Sequence, residues 1–185
     1  MMIEGNDPYR GPSFSLQHRL KRQLWNVVCA LLFRTSPRPF HAWRALLLRA
    51  FGATLGTGCH VYPSVKVWAP WNLHLGNFVG VGDGARLYCM DKIEIGDYAV
   101  ISQGAHLCGG THDYNSANFQ LVIKPIVIGA YAWICADAFI HAGVSISDGA
   151  VVGARAVVTR SLVEPWAVYS GNPCKQVNIR NKVNK

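Results

Sequence analysis

One histidine stands inside a polar stretch that interrupts an otherwise regular, apolar sequence. The stretch is CGGTHDYNSANFQ, Cys108 to Gln120, and it places His112 between Thr111 and Asp113. A neutral imidazole can take a proton from an alcohol and return it to a leaving group, because its pKa lies close to working pH. His112 is therefore a candidate general base. The alternative is a loop histidine without a catalytic role.

The chain around this histidine repeats with a period of six residues. An aliphatic residue returns at Ile128, Ile134, Ile140, Ile146, Val152 and Val158. A mostly small residue follows each one by four positions, at Ala132, Ala138, Val144, Ala150, Ala156 and Leu162. A helix would return apolar residues at three and four, and an isolated strand would alternate. The period is typical of hexapeptide repeats in a parallel β-helix, whereas a sandwich of short strands does not explain six returns without a slip.

The same pattern runs upstream with two slips of two residues each. One phase starts at Leu55, a second at Leu75 and a third at Ile95. The slips indicate local bulges, or an ambiguity in which residue points inward. The pattern stops at Leu107 and resumes near Ile126 or Ile128, so residues 108–125 form an excursion loop. Excursions of this length are usually functional or disordered.

Two helix candidates precede the repeats, so we divide the chain into a helical segment, 1–52, and a repeat domain, 53–185. The first helix places five apolar residues on one face: Leu16, Leu20, Leu24, Val27 and Val28. The second has Ser36 as N-cap, Pro37 at the first helical position and Gly52 just past its end. We expect these helices to cap the open end of the solenoid. Peripheral membrane association is the alternative, since the first helix is basic and amphipathic.

Composition restricts the class of protein. The 185 residues fit one domain with a short extra segment, and 50% hydrophobic with 15% charged residues indicates a globular chain. The net charge of +8 suits nucleic acid, an anionic membrane or a phosphate-rich small molecule. Much of it lies near the two ends, at Arg10, Arg19, Lys21, Arg22 and Arg34 and at Lys175, Arg180, Lys182 and Lys185. No RNA-binding aromatic motif, helix-turn-helix pattern or zinc finger is present, so we expect no nucleic-acid partner.

The cysteines and the start of the chain indicate a cytoplasmic setting. None of the six cysteines forms a CxxC pair, so we expect free thiols in a reducing compartment. The first residues, MMIEGNDPYRG, are polar, which argues against a signal peptide. The longest apolar run, 24–33, is too short to span a bilayer as a helix.

The repeats, together with GTHDYN, KPIVIG, GARAVVTR and GNPCKQV, resemble the left-handed β-helix acetyltransferases over residues 55–180. Within that group the chain is similar to the sugar O-acetyltransferases of bacterial exopolysaccharide synthesis, the colanic-acid type. The resemblance implies a mainly β fold, a left-handed parallel β-helix with about eighteen residues per coil. It also implies an acetyl-CoA donor, a hydroxyl acceptor and a homotrimer with its sites between subunits. It implies neither a metal nor a covalent acetyl-enzyme.

The resemblance assigns roles to single residues. His112 matches the family's catalytic histidine, and Ala136 matches the residue whose backbone N–H binds the oxyanion. Cys135 replaces the glycine that usually precedes it, but only a backbone amide is required there. Five positions match or lie near contacts to the cofactor: Ala154 with its backbone, Thr159 and Arg160 near the nucleotide, Lys175 near the phosphates and, more loosely, Arg180. For the charged members, solvated surface charge is the alternative.

The acceptor site departs from the family pattern. Maltose- and galactoside-type relatives carry an asparagine and an aspartate where this chain has Val81 and Cys89. Maltose and simple galactosides are therefore not expected, and a glycan or lipid-linked sugar is. Three candidates for contacts to the acceptor remain: Asp113, Trp133 and Asp91. Asp113 could instead orient the imidazole, and Trp133 could instead pack on the outer face.

Three rival hypotheses stay open. A β-helix zinc carbonic anhydrase would need three histidines on one metal, and His74, His106, His112 and His141 are available. His106 and His112 lie six residues apart, which puts them on different faces of a coil. A non-catalytic β-helix scaffold is a second rival. The third keeps the chemistry and exchanges the acceptor for an amino sugar, an antibiotic or serine.

Overall fold

The computed structural model describes Tyr9 and residues 11–182. The expectation about the start of the chain rests on its polar first residues, and the one about terminal charge rests in part on Arg10 and Lys185. Residues 1–8, Arg10 and 183–185 lie outside the described residues. Within residues 11–182 no helix has both the length and the hydrophobicity needed to cross a bilayer.

The N-terminal segment contains two helices joined by a π-helical turn. Helix α1 spans Leu16–Val28, the turn spans Cys29–Phe33, and helix α2 spans His41–Ala50. The side chain of Ser15 caps α1 by accepting a hydrogen bond from the backbone N–H of His18 at 3.2 Å. Gly52 follows α2 with a φ of 92°, as the sequence predicts for the end of that helix.

The start of α2 differs from the prediction, because the N-cap is Phe40 rather than Ser36. Pro39 disfavours a helical conformation for the residue before it, so the helix starts only after this proline. The hydroxyl of Ser36 instead donates to the carbonyl of Phe33 at 2.6 Å and accepts from Nη1 of Arg44 at 2.8 Å.

The rest of the chain winds as a left-handed parallel β-helix with three faces, each face one sheet of short strands. The first face holds β1 (Thr54–Leu55), β4 (Leu73–Leu75), β7 (Ile93–Ile95), β12 (Ile126–Ile128) and β15 (Ser145–Ile146). The second holds β2 (His60–Val61), β5 (Gly80–Val81), β8 (Val100–Ile101), β13 (Trp133–Ile134), β16 (Val151–Val152) and β18 (Ala167–Ser170), with β19 (Lys175–Ile179) antiparallel at its edge. The third holds β3 (Lys66–Val67), β6 (Arg86–Tyr88), β9 (His106–Cys108), β14 (Phe139–Ile140) and β17 (Val157–Val158). A separate hairpin pairs β10 (Gly110–His112) with β11 (Leu121–Ile123).

The six-residue period fills the interior of the coil. The aliphatic series from Ile128 to Val158 is at most 2% exposed, and the series from Ala132 to Leu162 is buried as well. Equivalent residues stack from coil to coil, since Ile128 pairs with Ile146 and Ile134 with Val152. The repeat pattern is therefore confirmed as the core of the molecule.

The two slips in the repeat pattern upstream of the excursion arise because the coils there are longer. Thr54 pairs with His74, twenty residues on, whereas Val127 pairs with Ser145, eighteen residues on. The two additional residues lie at the corner between the third and first faces, where Leu73 follows Val67 by six residues while Val144 follows Ile140 by four. A uniform coil of eighteen residues is therefore wrong for the part of the solenoid before the excursion.

The helical segment covers the open edge of the first coil. Strand N–H groups of each coil donate to carbonyls of the next coil, as from Gly56 to Leu75, so the equivalent strand carbonyls of the first coil lack a preceding coil. Side chains reach one such carbonyl on each face: Nη2 of Arg49 to Leu55 at 3.1 Å, Nε of Arg44 and Nδ1 of His41 to Val61 at 2.6 and 3.0 Å, and Nε1 of Trp25 to Val67 at 2.8 Å. These side chains take the place of a preceding coil.

Helix α1 contacts the solenoid through a face that the apolar pattern did not indicate. Trp25 is fully buried, and Lys21 and Arg22 lie over the rings of Trp71 and Trp68. Four of the five apolar residues predicted to share a face point away from the solenoid: Leu16, Leu20, Leu24 and Val27. The helix is therefore apolar on its outer side.

Candidate active site

His112 lies at the end of the first strand of the β10–β11 hairpin, opposite Leu121. The hairpin leaves the solenoid between the third face and the first face, and its turn covers residues 113–120. Two antiparallel strands hold the excursion in place, and they leave the imidazole exposed to solvent. The excursion is thus an ordered arm that carries the candidate base away from the wall of the solenoid.

Phe119 orients the imidazole of His112. Nδ1 of His112 lies 2.8 Å from the carbonyl oxygen of Phe119, and the two rings stack at 4.3 Å with an angle of 10°. A carbonyl oxygen can only accept, so Nδ1 carries the proton and Nε2 keeps its lone pair. This is the tautomer that a general base needs.

The backbone of Phe119 is itself unusual, with a φ of 48° in the left-handed region. Such a conformation costs about 1–3 kcal/mol for a residue with a side chain and persists where neighbouring contacts fix it. The N–H of Phe119 donates to the carbonyl of Ser116 at 2.9 Å, and the N–H of Asp113 donates to Gln120 at 2.8 Å. Sequence reasoning missed Phe119, because periodicity carries no information inside the excursion.

Asp113 uses its carboxylate within the turn. Its Oδ1 accepts from the backbone N–H of Asn115 at 3.0 Å, which is an Asx turn. Nδ1 of His112 is bonded to Phe119 rather than to Asp113, and a contact of Asp113 to the acceptor stays a prediction.

Asp91 lies at the corner on which the hairpin is rooted. The N–H of Gly109 donates to the carbonyl of Tyr88 at 3.0 Å, and a Cβ on Gly110 would come within 2.4 Å of the sulfur of Met90. Oδ1 of Asp91 accepts from the N–H of Lys92 at 2.8 Å. The fold thus brings the segment around Asp91 next to the start of the β10–β11 hairpin.

Trp133 and Ala136 lie in the coil after the hairpin. Trp133 belongs to the second face, is 46% exposed, and donates its indole N–H to Oγ of Ser102 at 2.9 Å. Ala136 follows in the turn to the third face, where its carbonyl accepts from Arg155 at 2.9 Å. Among the described residues, the N–H groups of Ala136 and of Ala154, one coil further, donate to no acceptor. Both are available to a ligand.

Three of the predicted cofactor residues meet in one cleft of about 330 Å³. Thr159 and Arg160 follow the third face, Lys175 starts β19, and all three line this cleft together with Cys174. Arg180 does not join them. Its guanidinium lies 5.3 Å from the ring of Trp166 and its Nη1 donates to the carbonyl of Tyr131 at 3.4 Å.

The base and the predicted oxyanion donor lie at different corners of one chain. The hairpin of His112 leaves between the third and first faces, while Ala136 lies between the second and third faces. The width of the third face separates the two corners. This arrangement fits a site that a neighbouring chain completes.

Histidine geometry gives no support to a metal centre. In the part of the chain that the structure describes, no three His, Cys, Asp or Glu side chains are grouped so that they could hold a metal ion.

The chain is similar to known acetyltransferases along most of its length. WcaF of Escherichia coli K12, assigned to colanic acid biosynthesis as an acetyltransferase, is 46% identical over 164 residues, which cover 89% of this chain and 88% of WcaF. Galactoside O-acetyltransferase of the same organism is 29% identical over 145 residues, covering 75% of this chain and 71% of that protein. No protein-family model matches the chain.

The fold is found in solved structures as well. A hexapeptide-repeat acetyltransferase from Vibrio cholerae, complexed with acetyl-CoA, superimposes with a TM-score of 0.82 at 21% identity, over 96% of this chain and 100% of that one. The repeats, the hairpin and the long match to WcaF agree with one another. The chain therefore belongs to the hexapeptide-repeat acetyltransferases, in the group of the colanic acid biosynthesis enzymes.

Proposed function

We propose that this protein transfers the acetyl group of acetyl-CoA to a hydroxyl of a sugar or glycan precursor, with His112 as the general base. The observation that carries the proposal is the hydrogen bond from Nδ1 of His112 to Phe119, which leaves the lone pair of Nε2 directed to an incoming hydroxyl. The Nδ1 bond makes this nitrogen a donor and Nε2 the acceptor of a substrate proton.

The reaction then needs one proton carrier and one oxyanion donor. Nε2 of His112 takes the proton of the acceptor hydroxyl while the hydroxyl oxygen attacks the thioester carbonyl. The free N–H of Ala136 donates to the oxygen on which negative charge develops. The carbon–sulfur bond breaks as the intermediate collapses, and His112 returns its proton to the CoA thiolate.

The cleft at Thr159, Arg160 and Lys175 suits the donor substrate. Two cations flank it, and phosphates favour fixed positive groups. The unpaired N–H of Ala154 would meet an amide of the pantetheine arm.

The assembly we propose is a homotrimer. His112 and Ala136 lie at different corners of one chain, so a neighbour has to supply one of them. We place the enzyme in the cytoplasm, because its six cysteines are free thiols, as in a reducing compartment.

The acceptor is a glycan or a lipid-linked sugar rather than a simple galactoside. Val81 and Cys89, at the positions of the polar residues in maltose- and galactoside-type relatives, are both fully buried. Burial also raises the pKa of Cys89 to about 11, so its thiol stays neutral. Neither side chain can bind a sugar hydroxyl from the surface, whereas Asp91, Asp113 and Trp133 can be reached.

Release of CoA thiol from acetyl-CoA in the presence of a sugar panel tests the proposal. His112→Ala should lower the rate about 100- to 10,000-fold. His74→Ala, which removes an exposed histidine of the first face, should leave the rate unchanged. If no acceptor releases thiol, a non-catalytic scaffold becomes the better account; stoichiometric zinc in the purified protein would favour a carbonic anhydrase.

A further inference from the structure

The outer face of the N-terminal segment is a continuous apolar surface. Five side chains with helical spacing are each between 45% and 66% exposed: Leu16, Leu20, Leu24, Val27 and Leu31. The opposite face of the same helix is occupied, because Trp25 is buried and bonded to Val67. The apolar row is therefore not needed to attach α1 to the solenoid.

Helix α2 and the turn before it extend this row. Leu32, Trp43 and Leu46 are 45%, 38% and 56% exposed. The indole N–H of Trp43 donates to the carbonyl of Leu32 at 3.1 Å, which ties the two elements together. Eight large apolar side chains thus form one surface, here called the outer apolar face, and surfaces of this kind mark interaction sites.

The charge near the outer apolar face is mainly positive. Residues 8–82 contain nine lysines and arginines and no aspartate or glutamate. Arg19 and Arg34 are exposed on or between the two helices, whereas Arg38 pairs with Asp83 at 2.8 Å and Lys21 lies over Trp71. A basic, amphipathic helix with this distribution suits the interface of an anionic membrane.

A second copy of the chain is a poorer partner for the same face. Pairing two such faces would bring Arg19 and Arg34 of both copies close together, and like charges repel. Anionic lipid supplies both the acyl chains for the leucines and the phosphates for the cations.

We propose that the outer apolar face docks this protein on an anionic membrane surface, with α1 lying in the plane of the interface. The leucines enter the boundary between headgroups and acyl chains, and the cations contact lipid phosphates. The proposal goes beyond acetyl transfer and does not depend on it. It would bring the catalytic arm close to an acceptor held in the same membrane.

Flotation of the full-length protein with vesicles tests this. We expect binding to vesicles of phosphatidylcholine with about 30% phosphatidylglycerol, and at least tenfold weaker binding to phosphatidylcholine alone. Leu20→Gln with Leu24→Gln should weaken binding at least tenfold, because two buried leucines are lost. Val163→Gln with Ile179→Gln, which removes two exposed apolar side chains elsewhere, should bind like the wild type.

A second pair of changes tests the electrostatic part. The double variant Arg19→Gln, Arg34→Gln should reduce the preference for anionic vesicles several-fold. Its melting temperature should equal that of the control variant Val163→Gln, Ile179→Gln. The proposal is overturned if the wild type does not bind anionic vesicles, or if the leucine variant binds them as well as the wild type does. It is equally overturned if the leucine variant changes the mass of the oligomer in light scattering, since the face would then be an interface between copies.

Discussion

At the scale of single residues, the proposed chemistry depends on one imidazole, that of His112, and on the carbonyl that fixes its tautomer. The sequence pointed to His112 through its motif, but nothing in the pattern indicated Phe119, seven residues further on. The hydrogen bond and the stacked ring of Phe119 arise only when the turn closes, since Phe119 adopts a positive φ there.

Phe119→Gly should keep the carbonyl and relieve the positive φ while removing the stacked ring. We expect kcat to fall about tenfold, because an aromatic contact of this kind contributes about 1 kcal/mol, and KM for acetyl-CoA to stay constant. Nitrogen chemical shifts of His112 should still report a protonated Nδ1. An unchanged kcat would show that the ring does not position the base.

Arg160→Ala and Lys175→Ala should each raise KM for acetyl-CoA several-fold with little change in kcat, because exposed cations bind phosphate modestly. Arg180→Ala should leave that KM unchanged, since its guanidinium lies over Trp166 rather than in the cleft. Steady-state kinetics with varied acetyl-CoA measure all three. An effect of Arg180 equal to that of Lys175 would contradict the placement of the cleft.

At the scale of elements, the repeats were predictable and their ends were not. A period of six fixes which side chains point inward, and all of them are buried. The coil length before the excursion was not predicted, because the two additional residues lie at the corner before Leu73, where the inward period gives no information. The sequence indicated an apolar face on α1, but it did not indicate which side of the helix packs against the solenoid. In the structure, the buried contact of α1 with the solenoid is made by Trp25.

Arg44→Met should lower the free energy of unfolding by about 3 kcal/mol, since it removes a charged donor from the buried carbonyl of Val61 and from Ser36. Urea denaturation followed by circular dichroism measures the change. Arg34→Met, at an exposed position, is the control and should stay within about 0.5 kcal/mol of the wild type. Equal effects would mean that the edge carbonyl needs no cap.

The N-terminal segment should also be sensitive to acid. Burial lowers the pKa of His18 and of His41 below 6.5 in the folded protein, while the unfolded chain takes up protons at that pH. Their contribution to stability is therefore present above pH 6.5 and is lost as the pH falls through the folded pKa values. The melting temperature should drop towards about pH 5, and less steeply in His18→Gln with His41→Gln. If the melting temperature of the double variant depends on pH as steeply as that of the wild type, the acid sensitivity arises from other groups.

At the scale of the whole molecule, the proposed catalytic groups of one chain lie apart, so the proposed mechanism requires assembly. His112→Ala and Ala136→Pro, each inactive alone, should recover about a quarter of the sites when coexpressed in mixed trimers, because the base and the N–H then come from different chains. Thiol release by the copurified mixture measures this. Absence of recovery in mixed trimers whose melting temperature matches the wild type would place both groups in one chain.

The central claim is acetyl transfer to a glycan by His112, and the acceptor is identified in the same measurement. Mass spectrometry of surface glycan and lipid-linked precursors should be compared in cells that lack the gene and carry either the wild type or His112→Ala at equal protein level. We predict that acetyl esters on one sugar return with the wild type and not with the variant. Equal acetylation in both strains would contradict the account.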